Sequence, residues 1–166
     1  LFESSVAAMD IFAVYIGDKL GYYRALHDGG PANSAGLAQR TATQERYARE
    51  WLEQQATTGV LAVETAGAGP EDRIYRLPEG YEAVLVDPES EIFVAPMGRF
   101  LAAAIGRAPE LLNAFRNGGG VSWDQFGEDA RTAQSDFNRP FFHHRLVGDY
   151  LRQVPGLDKA LSAPGA

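Results

Sequence analysis

Leu37-Ala38-Gln39-Arg40-Thr41-Ala42-Thr43-Gln44-Glu45-Arg46-Tyr47-Ala48-Arg49-Glu50-Trp51-Leu52 is the stretch that decides the fold. Its apolar residues recur at helical spacing on either side of a short polar break, the pattern of two helices joined by a tight turn. Asn33 or Ser34 is suited to cap the first helix, because a short polar side chain accepts from free first-turn amides. Thr43 is expected to cap the second, which the pattern carries from Gln44 to Thr58. Tyr47, Ala48, Trp51, Leu52, Gln55 and Ala56 form its stripe, and Gly59 stands where a left-handed terminating residue is wanted.

Outward from this pair, Val60–Glu64 and Arg73–Leu77 read as strands joined by Ala66-Gly67-Ala68-Gly69-Pro70-Glu71-Asp72, a flexible connection. Two short helices, a turn and a hairpin are the order of a winged helix. Upstream, Ser5–Leu20 reads as a helix apolar on all sides, which is expected to be buried against a second subunit or a further domain. Tyr22, Tyr23, Ala25 and Leu26 continue as a helical turn before Asp28-Gly29-Gly30-Pro31 breaks it. Downstream, helices are expected at Glu79–Val86, at Ser90–Ile105 with a kink at Pro96, and after Pro109 up to Gly118-Gly119-Gly120. A long helical region from Glu128 to about Arg152, kinked at Pro140, leads to a last turn at Leu157–Leu161 and the linker-like end Ala163-Pro164-Gly165-Ala166. The expected fold is mainly α, with one small β-hairpin. It divides into a winged-helix unit at 5–78 and a helical region at 79–161.

Composition narrows the function. The 166 residues carry a net charge of -7, which speaks against nucleic acid as the main partner, since that affinity comes from neutralising phosphates. The second helix of the pair sets Arg46 and Arg49 among Glu45, Glu50 and Glu53, which is poor for a phosphate-lined groove. There is no cysteine, so disulfides, thiol catalysis and cysteine-bound zinc are excluded, and a reducing cytoplasm is the simplest expected location. No apolar run spans a bilayer. Val6–Ile16 is short and lacks a basic leader, so it does not read as a signal peptide. Leu1 in place of Met leads us to expect a piece of a longer protein.

The chemistry-bearing residues are few. His143 and His144 are neighbours, and their side chains diverge on a helix, so no metal site is expected. His144 is the better candidate for a general base, if its face meets a pocket. Neither a Gly-x-Ser-x-Gly elbow nor a phosphate-binding Walker loop is present. Glu128 and Asp129 suit a helix start, and Glu79, Glu82, Asp87, Glu89 and Glu91 read as a solvated surface.

Five strings carry a resemblance: Gly17-Asp18-Lys19-Leu20-Gly21-Tyr22-Tyr23, Leu37–Thr41, Glu45–Leu52, Gly118-Gly119-Gly120-Val121 and Phe137-Asn138-Arg139-Pro140-Phe141-Phe142. Their order and spacing resemble the amino-terminal part of bacterial class I S-adenosylmethionine-dependent methyltransferases with a winged-helix front domain. The resemblance implies homodimerisation through this front region and a helical wall over a small-molecule acceptor. It further implies S-adenosylmethionine as the cofactor, gripped by a Rossmann-like domain that is not expected within this chain. Gly118-Gly119-Gly120 follows a helix rather than a strand and is no substitute for that grip. The segment 137–142 further resembles a stretch of plant-type O-methyltransferases between cofactor and acceptor. This makes Phe137, Asn138, Phe141 and Phe142 the candidate substrate-proximal residues, with Trp123 and Phe126 completing an apolar cavity. No catalytic residue is named. The rival readings are a DNA-binding regulator and a pure dimerisation module.

Overall fold

The computed structural model describes residues 1–65, 67 and 69–164. Ala66 and Ala68 of the expected wing connection, and Gly165 and Ala166 of the linker-like end, lie outside the described residues. The first half is α1 (Phe2–Lys19), α2 (Tyr22–Gly29), α3 (Ser34–Thr41), α4 (Glu45–Thr57), β1 (Ala62–Val63) and β2 (Tyr75–Arg76). The strands pair antiparallel with Ala62 opposite Arg76 and Val63 opposite Tyr75. Ala32, just before α3, bridges Tyr75 from the other side through bonds of 3.0 and 2.9 Å. The hairpin is thereby fastened to the start of the helix pair.

Asn33 is the cap of α3, accepting from the Gly36 amide at 2.9 Å. Ser34 instead is buried and donates to Glu45 at 2.6 Å, which ties α3 to the first turn of α4. Thr43 is not the cap of α4. That place falls to Gln44, and the Thr43 hydroxyl lies 2.9 Å from the Tyr22 hydroxyl, which donates to it. The Thr43 hydroxyl thus ties α2 to the turn before α4. Gly59 has φ of +80°, a conformation that favours glycine, and it turns the chain from α4 into the hairpin.

Trp51 is the centre of the core. Its ring meets Tyr22 at 4.8 Å and Tyr23 at 5.2 Å, both edge-on, the favoured arrangement for aromatic rings. Its indole nitrogen donates to the Ala13 carbonyl of α1 at 2.8 Å. The buried Gln55 side chain accepts from the Tyr23 hydroxyl, and burial pushes that phenol well above its ordinary pKa. Ala48, Leu52 and Gln55 follow the expected stripe inward, whereas Tyr47 stands exposed at the edge of it.

The second half is α5 (Glu82–Leu85), α6 (Pro96–Ile105), α7 (Ala108–Asn117), a 3-10 turn (Trp123–Phe126), α8 (Gly127–Pro140), a π-helical segment (Phe141–Tyr150), a second 3-10 turn (Leu151–Gln153) and α9 (Leu157–Leu161). One proline expectation is corrected. Pro96 does not kink a helix but opens α6, where its missing amide has no helical partner to lose. At Pro140 the α winding ends and the chain continues as a π-helix. Loss of one amide frees the ladder to shift toward wider i→i+5 bonding. The helix expected at Glu79–Val86 is confined to Glu82–Leu85.

Helix α6 packs against both α1 and α8. The approach to α1 is close: a Cβ on Gly98 would lie 2.9 Å from the Tyr15 amide nitrogen and 3.0 Å from its Cα. One residue on, the mostly buried Arg99 reaches Asp18 of α1 and Asp136 of α8, each at 2.7 Å. Burial pushes the Asp18 carboxyl up, with the Arg99 charge opposing it. Lys19 donates to Asp129 at 2.7 Å, and the Tyr15 hydroxyl donates to the same carboxylate at 3.2 Å. The Lys19 bond is the largest cause holding the Asp129 carboxyl below its usual range. In α1, only Ala13 and Gly17 are buried, while Phe2, Val6, Met9, Ile11 and Phe12 are exposed. The all-round burial expected of this helix is therefore not met within the chain.

Gly98→Ala is expected to destabilise the fold by about 1–3 kcal/mol in urea unfolding, because backbone rather than a flexible side chain stands in the way. Asp129 stabilises the fold above the ordinary carboxylate range and ceases to as pH falls through its lowered pKa. The wild-type protein should thus lose stability as pH falls below about 4, and Asp129→Asn should be less stable near neutrality with a shallower acid slope in thermal melts.

Candidate functional site

The candidate residues converge where α8 runs on into the π-helical segment. Ala130, Ala133 and Pro140 turn inward and fix which face of α8 is left outside. Residues spaced three and four apart on that outer face are neighbours. Arg131, Gln134, Asn138 and Phe142 accordingly line one cavity of about 510 Å³, with Trp123 across from them. Arg139 and His143 also border it.

Trp123 belongs to the 3-10 turn, where the Ser122 amide donates to Gln125 Oε1 at 2.8 Å. Its ring is backed by Phe126 at 5.8 Å and by Phe100 of α6 at 6.4 Å, so it stands as a fixed plate. Phe126 supports Trp123 from behind and borders a different depression, beside Tyr15 and Asp129, rather than the Trp123 cavity.

A second groove, about 450 Å³, lies on the neighbouring face and is lined by Phe137, Asn138, Phe141, Phe93 and Val94. Phe137 and Phe141 share it, as their spacing of four residues implies. Phe141 also meets Phe142 and Tyr150, each at 5.5 Å between ring centres. Asn138, half-buried, is common to both hollows. The six candidates are thus split: Trp123 and Phe142 on one side, Phe137 and Phe141 on the other, Asn138 between them and Phe126 behind.

Sequence reasoning missed the ionic strap that closes this region. Glu89 stands at the surface, as expected, and is engaged there by partners. It accepts from Arg139, sits 2.8 Å from His143 Nδ1, and its backbone carbonyl lies 3.0 Å from His144 Nε2. The Arg139 bond is the largest cause lowering the Glu89 carboxyl pKa. Glu91 pairs with Arg145 at 2.7 Å. Both contacts join residues fifty or more positions apart, so no local pattern signals them. His143 borders the Trp123 cavity, while His144 lines neither hollow. Of the missed lining residues, Arg131 and Gln134 were within reach of sequence reasoning, since they precede Asn138 by seven and four positions.

The arginines of α4 and one of the hairpin are engaged by acids, while Arg40 of α3 donates to the Gly30 carbonyl. Arg46 meets Glu50 at 2.7 Å, Arg49 meets Glu45 at 3.6 Å and Glu71 at 3.3 Å, and Arg73 of the hairpin meets Glu53 at 3.3 Å. Among the described residues no cluster of three or more His, Asp or Glu is arranged to hold a metal. No helix of the described residues is long and apolar enough to cross a membrane. The described sheet is a two-stranded hairpin, and Gly118-Gly119-Gly120 lies between α7 and the 3-10 turn. These residues do not fit a strand-end cradle for S-adenosylmethionine.

Residues 7–86 match the model of the Rv2258c-like winged HTH domain. Among solved structures, the mitomycin 7-O-methyltransferase MmcR is similar over 84% of this chain and 41% of its own, with a TM-score of 0.59 and 25% identity. Human N-acetylserotonin methyltransferase in complex with SAM is similar over 84% of this chain and 40% of its own, at a TM-score of 0.58 and 24% identity. PigF with SAH is similar over 99% of this chain and 55% of its own, at a TM-score of 0.64 and 18% identity. The chain therefore spans between 40% and 55% of the length of these structures. No curated protein matches it in sequence. Residues 7–86 are a winged helix-turn-helix domain of the Rv2258c-like type, and the chain has the fold of the amino-terminal, winged-helix region of class I S-adenosylmethionine-dependent methyltransferases.

Proposed function

We propose that these residues are the front part of a bacterial, cytoplasmic methyltransferase that moves a methyl group from S-adenosylmethionine to oxygen or nitrogen of a small molecule. The winged-helix unit at 5–78 pairs two subunits, and the helical region at 79–161 forms one wall of the acceptor pocket. Binding of the methyl donor falls to a further domain, because no strand-end cradle among the described residues fits that group.

The observation that carries this reading is the face of α8 and its π-helical continuation. Phe137, Phe141 and Phe142 are all substantially exposed there beside the half-buried Asn138. A cluster of aromatic side chains left open to solvent marks a surface that meets a ligand or another domain. The Asn138 amide both donates and accepts and is suited to orient a polar acceptor group. Pairing through α1 is supported by its exposed Phe2, Met9 and Phe12. The acid-paired arginines of α4 and the hairpin speak against reading a DNA backbone.

Phe137→Ala and Asn138→Ala in the intact enzyme should each lower kcat/KM for the acceptor by about tenfold or more, since positioning of the acceptor sets the rate. The affinity for S-adenosylmethionine, measured by calorimetry, should stay within about twofold of wild type. Unchanged kcat/KM in both variants would reduce the role of this chain to subunit pairing.

A further inference from the structure

We propose that Arg99 is a positioning residue that carries the placement of α1 to the acceptor face of α8. This deepens, and rests on, the reading of that face as a wall of the acceptor pocket.

Every nitrogen of the Arg99 guanidinium is engaged, and by two different helices. Nε lies 2.7 Å from Asp18 Oδ2 of α1. Nη2 donates to Asp136 of α8 at 2.7 Å, and Nη1 donates to the Thr132 hydroxyl of the same helix at 3.2 Å. Thr132 and Asp136 are four apart and so share one face of α8. A planar fork that holds two points on one face resists rotation of the helix about its axis, which a single point charge does not. The Arg99 side chain is only 12% exposed, so water competes little for these bonds.

Packing alone leaves that rotation weakly fixed. The buried residues of α8 ahead of Pro140 are Ala130 and Ala133, and its main neighbour is α6. Methyl groups allow close approach but offer little hold against turning. Beside the ion pairs lies a cavity of about 220 Å³, bordered by Asp18, Arg99 and Asp136 together with Arg24 and Phe93, so close packing does not support α8 there. Burial raises the Asp18 carboxyl and the Asp136 charge adds to that rise, against the pull of Arg99. The two carboxylates thus repel, and the cation between them draws α1 and α8 together. Lys19 and Tyr15 hold the first turn of α8 at Asp129, whereas Arg99 holds the turn that leads directly into Phe137 and Asn138.

Fluorine NMR of the intact protein, carrying 4-fluorophenylalanine at position 137 alone, tests this. The wild type should give one narrow signal. Asp18→Asn alters α1 only, and it should shift or double that signal. In an Arg99→Met background the same substitution should leave the signal where Arg99→Met alone puts it. Circular dichroism checks the folding of each variant. If Arg99→Met does not fold, Thr132→Val combined with Asp136→Ala cuts the guanidinium from α8 and serves as the background, with the same expectation. A signal indifferent to Asp18→Asn overturns the coupling. A signal that Asp18→Asn moves equally with and without Arg99 also overturns it, and assigns the effect to Lys19 and Asp129. Turnover indifferent to Phe137→Ala and Asn138→Ala, with the signal still following Asp18 through Arg99, overturns the acceptor wall and leaves the coupling of the two helices standing.

Discussion

Helix α1 is gripped from two sides at places where a side chain is missing. On one side Gly17 lets the Trp51 and Tyr23 rings close on its backbone, and a Cβ there would collide with both. On the other, Gly98 lets α6 lie almost on the backbone of Tyr15. Close packing of this kind tolerates little added volume. Everything else in the arrangement follows from α1 serving two neighbours at once. Trp51 can reach the Ala13 carbonyl only because α4 approaches that near, and Arg99 can bridge Asp18 and Asp136 only because α6 does. The helix pair with its hairpin, and the region that carries the two hollows, share this one helix as a common beam.

Much of the framework was legible in the residues. The helix pair, the turn at Gly59, the hairpin and the terminal turn Leu157–Leu161 lie where periodicity and breakers put them. The misreadings have a shared cause. Pro96 and Thr43 each depart from their usual local behaviour because of a neighbour. The chain before Pro96 does not wind as a helix, so the proline begins one, and the Thr43 hydroxyl accepts from Tyr22 instead of capping α4. Strand length was overread for the same reason, since Ala32 supplies pairing to Tyr75 that the hairpin alone does not.

The candidate site was legible as a set of side chains but not as an arrangement. Aromatic spacing on a helix gives a shared face for Phe137 and Phe141, and they share one. It cannot tell that Trp123 faces the next side of the same helix, or that Phe126 turns away to brace it. The strap of Glu89 and Glu91 onto Arg139, His143 and Arg145 was invisible because contacts of long sequence separation leave no periodic trace. It matters to the site, since it pins the loop before α6 against the segment that lines both hollows.

The run of helix through Pro140 has a geometric consequence of its own. Neighbouring side chains on a helix leave its axis about 100° apart. Phe141 and Phe142 therefore fan out to different hollows, while Asn138 belongs to both. One unbroken rod thereby separates two chambers without spending a loop on the partition. The angular offset between them is set by the helical backbone rather than by any side chain.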